Sequence, residues 1–180
     1  MDLREVTEFL RDFAGYIITA LVIILVFTFV VALQPIAGNS MSPTLEEGQV
    51  VVVTKLFKNY TRNDIVIIKL DSKLYAKRIV GLSGERIDYL NDILYVDNTP
   101  YKETFLEDDV VTSNFLFEDI CSSRECPNGV IPDNMYLVLG DNRPDSIDSR
   151  DNSFGLVDKK NIKGEVVFKI WPVNNIGLVN

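Results

Sequence analysis

An uncharged run near the amino terminus limits what this chain can fold into. Residues 13–33 read FAGYIITALVIILVFTFVVAL, 21 positions without an acidic or basic side chain. A helix of that length spans about 31 Å, enough to cross the hydrocarbon core of a bilayer. A cleavable leader would have a shorter apolar core and an Ala-x-Ala exit, whereas this run leads into Gln34 and Pro35. We therefore predict a retained membrane anchor at residues 13–34, with the buried helix of a water-soluble domain as the alternative.

Basic residues are distributed unevenly on the two sides of this run. Arg4 and Arg11 precede it, and the next basic residue is Lys55. Lys and Arg are enriched on the cytoplasmic side of membrane segments. The pattern predicts a cytoplasmic tip at residues 1–12 and an extracytoplasmic domain at residues 35–180.

Histidine is absent from all 180 residues. This excludes Ser-His-Asp and Cys-His catalysis within the chain, and it leaves the two cysteines without imidazole partners for a zinc site. An activated nucleophile would have to use another base, and lysine or a carboxylate are the candidates. The net charge of −8 argues against a nucleic-acid partner, because binding phosphates needs a basic surface. We expect no metal and no cofactor.

Beyond Pro35 the pattern changes to short runs rich in β-branched and aromatic residues, which are typical of strands. Residues 86–89 and 93–96 have the spacing of a hairpin. We expect a mainly β fold, in which a single transmembrane helix is followed by an antiparallel sheet or barrel-like domain. The other predicted strands are Val50–Thr54, Ile65–Ile68, Tyr75–Val80, Tyr136–Leu139 and Val166–Ile170.

The strand pattern fades between residues 97 and 133, a segment we call the acidic insertion. It contains nine acidic residues and only two basic ones, Lys102 and Arg124. We interpret it as a solvated addition to the sheet, with a docking surface for a basic partner as the alternative. Cys121 and Cys126 lie within it and outside the cell would form a local disulfide; the alternative is two loop thiols. The acids are Asp97, Glu103, Glu107, Asp108, Asp109, Glu118, Asp119, Glu125 and Asp133.

The first candidate reactive segment lies just beyond the anchor and reads GNSMSPTL from Gly38 to Leu45. Gly38 allows close backbone approach, and Pro43 stiffens the turn that follows. A serine at this place is suited to work at a membrane surface. Considered alone, Ser40 also fits an ordinary turn residue.

The second candidate segment is a predicted strand that carries two adjacent cations, Lys77 and Arg78. Neighbouring residues of a strand point to opposite faces, so at least one of these side chains meets apolar surroundings. Burial lowers the pKa of a lysine from about 10.4 and can make it a general base near neutral pH. The alternative is an edge strand whose lysine reaches water.

The third candidate segment, the 140–150 loop, reads GDNRPDSIDSR and follows a predicted strand. Its hydroxyls and paired charges are able to orient a buried amine. Asp148 and Arg150 are spaced to hold the loop by a salt bridge. A well-capped surface turn is the alternative for this segment alone.

In this order the three segments resemble the motif set of bacterial type I signal peptidases, which are proteases with a Ser/Lys dyad. The resemblance runs from the anchor through Gly155. It implies that Ser40 is the nucleophile, Lys77 the general base and Ser146 the residue that orients the lysine. It also implies an antiparallel β catalytic domain with an apolar surface on the bilayer. The positions that it marks as supporting are Met41, Asp141, Asp148 and Arg150.

The resemblance further implies a membrane-bound serine endopeptidase that removes signal peptides from exported preproteins, cutting after small residues in an Ala-x-Ala pattern. Its place would be the bacterial cytoplasmic membrane, and its partners preproteins and the lipid bilayer; we expect a monomer. One departure matters, because some members carry an oxyanion-hole serine where this chain has Gly38. The backbone N–H of Ser40 would then carry more of that role, and losing one such donor costs about 10²–10³ in rate.

Two other functions fit less of the sequence. A self-cleaving repressor-type Ser/Lys protease would be soluble and joined to a DNA-binding domain. A catalytically silent chaperone or pilus-assembly protein of similar fold would bind extended segments without cutting them. The joint presence of Ser40, Lys77 and Ser146 favours the enzyme.

Overall fold

The computed structural model describes residues 3–56, 59–107 and 110–179. Met1 and Asp2 of the predicted tip, and Asp108 and Asp109 of the acidic insertion, lie outside these residues. The described chain contains two α-helices, α1 (Leu3–Leu25) and α2 (Phe117–Ile120). Its strands are β1 (Val31–Pro35), β2 (Val50–Thr54), β3 (Ile65–Leu70), β4 (Lys73–Gly81), β5 (Ile87–Leu90), β6 (Ile93–Val96), β7 (Thr99–Tyr101), β8 (Met135–Leu139), β9 (Val157–Asp158), β10 (Ile162–Trp171) and β11 (Gly177–Leu178).

The apolar run is helical for most of its length. Residues 11–30, which end in a π-helical turn at Val26–Val30, are long and apolar enough to cross a membrane, and none of the most apolar window is buried. Exposure of this kind does not fit the core helix of a soluble domain. The helical conformation stops four residues before the predicted end of the anchor at Gln34, because residues 31–35 pair with β2 instead.

No loop separates this helical segment from the sheet, since β1 begins at the residue after Val30. Two hydrogen bonds from Lys55 fasten the junction. Its backbone N–H donates to the carbonyl of Val30 at 2.8 Å, and its ammonium donates to the carbonyl of Thr28 at 2.9 Å. The end of the helix is therefore tied to the end of β2.

The strands form two antiparallel sheets, which confirms the predicted fold class. The larger sheet has the order β1-β2-β10-β3-β4-β8-β9, with β11 beside β10, and the smaller has the order β5-β6-β7. The predicted hairpin is β5-β6. Residues 65–68 of β3 are all buried, because apolar clusters cover both faces of the large sheet there.

The acidic insertion contributes to the core, so its interpretation as a solvated addition needs correction. Phe115 and Phe117 are buried, and Tyr89 of β5 exchanges two backbone hydrogen bonds with Phe115, at 2.9 and 3.0 Å. Cys121 and Cys126 form a disulfide and pack in the same apolar cluster. Burial of these apolar groups, interspersed among the acids, holds the segment against the small sheet.

Phe117→Ala tests whether the insertion belongs to the cooperative core. Phe117 is 1% exposed, and truncating such a phenylalanine leaves a cavity that typically costs about 3–5 kcal/mol. We expect a lower urea midpoint for unfolding in detergent. Leu116→Ala, at the neighbouring residue that is 44% exposed, is the control and should change stability by only about 0.5 kcal/mol. Equal losses from the two substitutions would contradict the assignment of the insertion to the core.

Candidate active site

Ser40 lies in the turn between β1 and β2. Met41 and Leu45 of the same turn are buried in the apolar cluster shared by β2, β3 and β10. The N–H of Leu45 donates to the carbonyl of Met41 at 2.8 Å. Gly38 has a φ of +76°, a value that L side chains rarely adopt. The turn is therefore anchored by its apolar residues, while Ser40 remains partly exposed.

Lys77 and Arg78 are both buried, each only 1% exposed. The strand period predicted that at least one of them would meet apolar surroundings. Both are shielded from water, because β4 lies between β3 and β8 within the large sheet. Arg78 pairs with Leu139 of β8, and continuing that register by one residue sets Lys77 opposite Gly140. The buried amine thus faces the start of the 140–150 loop.

Gly140 brings the three candidate residues together. A Cβ at this position would clash with the hydroxyl oxygen of Ser146 and the carbonyl oxygen of Ser40, so only glycine allows their close approach. Lys77 Nζ donates to Ser146 Oγ at 3.0 Å, and the N–H of Asn142 donates to the Ser40 carbonyl at 3.1 Å. Between the residues that the structure describes, no hydrogen bond joins the Ser40 hydroxyl to Lys77.

The environment of Lys77 favours its neutral form. Burial is the main cause, and it lowers the pKa of this amine to about 8. The charges of Asp148 and Asp141 oppose that change by raising the pKa, and Arg150 adds to the lowering. Lys77 therefore holds its proton weakly enough to exchange it near physiological pH.

One carboxylate, that of Asp141, joins three segments of the site. Its two oxygens accept hydrogen bonds from Arg78, at 2.9 Å from Nε and 2.7 Å from Nη2. Thr44, four residues after Ser40, donates its hydroxyl to the same carboxylate at 2.6 Å. Because Arg78 and Asp141 are both buried, this paired geometry fixes β4, the turn that carries Ser40 and the 140–150 loop relative to one another.

The 140–150 loop is closed by the predicted ion pair between Asp148 and Arg150, which is present with N–O distances of 2.8 Å. Asp148 also accepts a hydrogen bond from the N–H of Gly140 at 2.9 Å. Burial alone would raise the pKa of Asp148, but the bonds from Arg150 and Gly140 outweigh it and bring the pKa below its ordinary value. Asp148 therefore stays ionised and joins both ends of the loop.

A small cleft opens beside Ser40. One wall is the segment that leads from β1 into the turn, and the other is the first half of β4. Among the described residues, no hydrogen bond uses the backbone N–H of Ser40, which leaves this donor available to a ligand. The cleft is lined by Gln34, Pro35, Ile36, Ala37, Gly38, Ser40, Met41, Ile67, Leu74, Tyr75 and Ala76.

The sequence reasoning missed several residues that build this site. It did not pair Arg78 or Thr44 with Asp141, and it gave no role to Arg143 or Glu103, which form a second buried ion pair. A signal was present: two adjacent cations in a buried strand need acids, and the 140–150 loop supplies them. Which acid meets which cation depends on the register of β4 and β8, and the sequence alone does not give it.

The family model described as signal peptidase, peptidase S26, matches residues 10–171 of this chain. The chain belongs to the signal peptidase family. Signal peptidase IB of Staphylococcus aureus strain COL is 34% identical over 94% of this chain and 91% of its own length. Signal peptidase I of Bacillus caldolyticus is 40% identical over 80% of this chain and 81% of its own length. The crystal structure of a signal peptidase I from Enterococcus faecalis V583 shares 30% identity and a TM-score of 0.50, covering 59% of this chain and 96% of that chain.

These similarities confirm the family that the three motifs predicted. A signal peptidase is a serine endopeptidase, a hydrolase that removes signal peptides. The amino-terminal apolar helix fits a membrane-anchored protein of this family.

Asp141→Asn removes the counter-ion of the buried Arg78 guanidinium. Breaking a buried pair by removing one partner typically costs about 3–5 kcal/mol. We expect the free energy of unfolding, measured by urea titration in detergent, to fall by that order. Asp158→Asn is the matched control, because Asp158 pairs with the mostly exposed Lys160, and surface pairs contribute about 0–1 kcal/mol. Similar losses from the two variants would show that the Asp141 pair does not hold the site together.

Proposed function

We propose that Ser40 and Lys77 form the catalytic dyad of this signal peptidase, with Ser40 as nucleophile and Lys77 as general base. The observation that carries the proposal is the buried Lys77 amine, whose pKa is lowered to about 8. Its hydrogen bond to Ser146 supports the role of Ser146 in orienting it. In a chain without histidine, this amine is a suitable base for activating a serine.

Cleavage would begin when a preprotein lies extended along the cleft between residues 34–38 and β4, gaining main-chain hydrogen bonds. The hydrogen bond between Ser40 and Lys77 forms at this stage, since catalytic hydrogen bonds often tighten only when substrate is bound. Neutral Lys77 takes the hydroxyl proton as Ser40 attacks the scissile carbonyl. Lys77 then protonates the leaving amine, and a water molecule that it activates hydrolyses the acyl-enzyme.

The backbone N–H of Ser40 is the donor that we propose for the oxyanion of the tetrahedral intermediate. Its lack of an acceptor among the described residues supports this role. Gly38 brings no hydroxyl to the hole, but its left-handed backbone shapes the turn that presents this N–H. Fixed donors of this kind stabilise negative charge as it develops in the transition state.

Cleavage after small residues, in the Ala-x-Ala pattern, is the specificity that we propose. The small size and largely apolar lining of the cleft support it, since Ile36, Met41 and Ile67 leave little space beside Ser40. A bulky side chain would have to displace these packed residues, all three of which are buried in the core of the large sheet. Alanine-sized side chains fit without such displacement.

We further propose that residues 1–12 lie in the cytoplasm and that residues 35–180 act as a monomer on the outer face of the bacterial cytoplasmic membrane. The basic residues before the anchor support this orientation. The disulfide in the acidic insertion supports it independently, because disulfides persist in oxidising compartments outside the cytosol.

Cleavage of a preprotein with an Ala-x-Ala site, measured with the full chain in lipid or detergent, tests the dyad. The wild type should cut after the second alanine, while Ser40→Ala and Lys77→Met should lose activity by a factor of about 10⁴ or more, because neither retains the activated nucleophile. Ser42→Ala is the control, since this neighbouring serine lies in the same turn and has no role in the proposed chemistry.

Two outcomes would overturn this assignment. Cutting that survives in Ser40→Ala means that another nucleophile acts. If a folded wild type binds the preprotein without cutting it, the hypothesis of a catalytically silent chaperone is favoured instead.

The pH dependence of kcat/KM gives a separate test of Lys77. Only the neutral amine accepts the Ser40 proton, so the rate should rise with pH through about 8 and level off above it. Below that value the rate should fall about tenfold per pH unit, because the neutral fraction falls by the same factor. A profile that is flat between pH 6 and pH 10 would exclude Lys77 as the base.

A further inference from the structure

Arg143 joins the two ends of the 140–150 loop from inside the protein. Its Nε donates to the carbonyl of Gly140 at 3.0 Å, and its own carbonyl accepts a hydrogen bond from Arg150 at 2.8 Å. The side chain of Arg143 is fully buried. A buried guanidinium needs a compensating charge, because burial disfavours the ionised form and arginine does not give up its proton.

The compensating charge comes from the acidic insertion. The side chain of Glu103 is 5% exposed, and both terminal nitrogens of Arg143 donate to its carboxylate. The same guanidinium also donates to the hydroxyl of Thr112 at 3.1 Å and lies 5.6 Å from the ring centre of Tyr89. Among the described residues, Glu103 is the acid that forms an ion pair with Arg143.

We infer that Glu103 is a positioning residue for the Ser40 and Lys77 dyad, an inference that rests on the proposed function. Glu103 holds Arg143, and Arg143 holds the carbonyl of Gly140. Gly140 in turn is the residue against which the Ser146 hydroxyl and the Ser40 carbonyl pack. The carboxylate thus acts on the reacting groups through two intermediaries and does not touch substrate.

Removal of this charge has a defined consequence for the loop. Without Glu103 the buried Arg143 guanidinium loses its ion-pair partner, and it regains hydration only by turning outward. Turning outward breaks the bond to the Gly140 carbonyl. Ser146 then loses its fixed place beside Lys77, and water reaches the amine. The acidic insertion therefore supports the active site from behind, with its buried acid directed inward and not toward a basic partner.

Glu103→Gln tests this inference on the full chain in detergent, because it removes the charge while keeping the shape. We expect kcat for the Ala-x-Ala preprotein to fall by about 10²-fold with KM nearly unchanged, since misplacement of reacting groups by about 1 Å costs that much. The rising limb of the rate should move above pH 8, because water at Lys77 returns its pKa toward the ordinary value. A purely structural role would not move this limb while the protein remains folded.

Glu118→Gln is the matched control. Glu118 lies in the same insertion and also pairs with an arginine, Arg86, but it is half exposed, and its side-chain bonds go to Arg86 and not to the 140–150 loop. Its kcat should remain within about twofold of the wild type, as expected for a surface pair. If Glu103→Gln matches Glu118→Gln in kcat and in the pH of the limb, the inference is wrong.

Hydrogen exchange of residues 138–150, followed by mass spectrometry, gives a readout that does not need cleavage. Faster exchange in Glu103→Gln than in Glu118→Gln supports the inference, and equal exchange overturns it. The exchange experiment can be interpreted even if the wild type fails to cleave the preprotein. Failure to cleave would contradict the proposed function but not the structural role of Glu103. The two failures are therefore distinguishable.

A double variant separates positioning from stability if Glu103→Gln does not fold. Glu103→Leu with Arg143→Met replaces the buried pair by apolar groups, an exchange that often preserves folding. The bond to the Gly140 carbonyl is nevertheless lost, so kcat should stay low and residues 138–150 should exchange quickly. A folded double variant with wild-type kcat would overturn the inference.

Discussion

The buried ion pair between Arg78 and Asp141 is the interaction on which the rest of the site depends. Removing two charges from water is costly, so such a pair is tolerated only in a geometry that satisfies both partners. Here that geometry requires a strand, a turn and a loop to meet, because Asp141 binds Arg78 and Thr44 together. Ser40 and Lys77 are brought close by the segments that carry these three residues, and no hydrogen bond between the two side chains holds them together among the described residues.

Two neighbouring cations of β4 are buried with different partners. A carboxylate compensates the charge of Arg78, whereas Lys77 has a hydroxyl as its hydrogen-bond partner, and burial lowers its pKa. Because successive side chains of a strand point to opposite faces of the sheet, these two neighbours occupy different surroundings. The same pattern recurs behind the site, where Arg143 remains charged beside Glu103. Both arginines are held in buried ion pairs, whereas Lys77, the proposed base, has no such pair among the described residues.

Much of the fold was predictable from local sequence, and the strands were predicted well because β-branched runs in this chain are short and clearly bounded. The pairing of distant charges was not predictable in this way, since Glu103 and Arg143 meet only after the sheets have formed. The aromatic residues at 115 and 117 were hidden among acids and showed no strand alternation, so the insertion was interpreted as solvated. The anchor was predicted to run through Gln34 because β1 is as apolar as the helix before it, and only its pairing with β2 distinguishes them. Arg143 lies in the 140–150 loop, but the sequence alone predicted no role for it, because its partner Glu103 is 40 positions away.

The direct passage from helix to strand fixes the distance between the apolar helix and the turn that carries Ser40. β1 follows Val30 without a linker, and Lys55 fastens the junction from β2. The turn that carries Ser40 follows β1 directly, so its height above the end of the apolar segment is set by covalent geometry and sheet hydrogen bonds. If Ser40 is the nucleophile, as proposed, a substrate that is itself held in the bilayer must present its scissile bond at that height. Selection of the cutting position is then a measurement of distance from the membrane as well as a recognition of side chains.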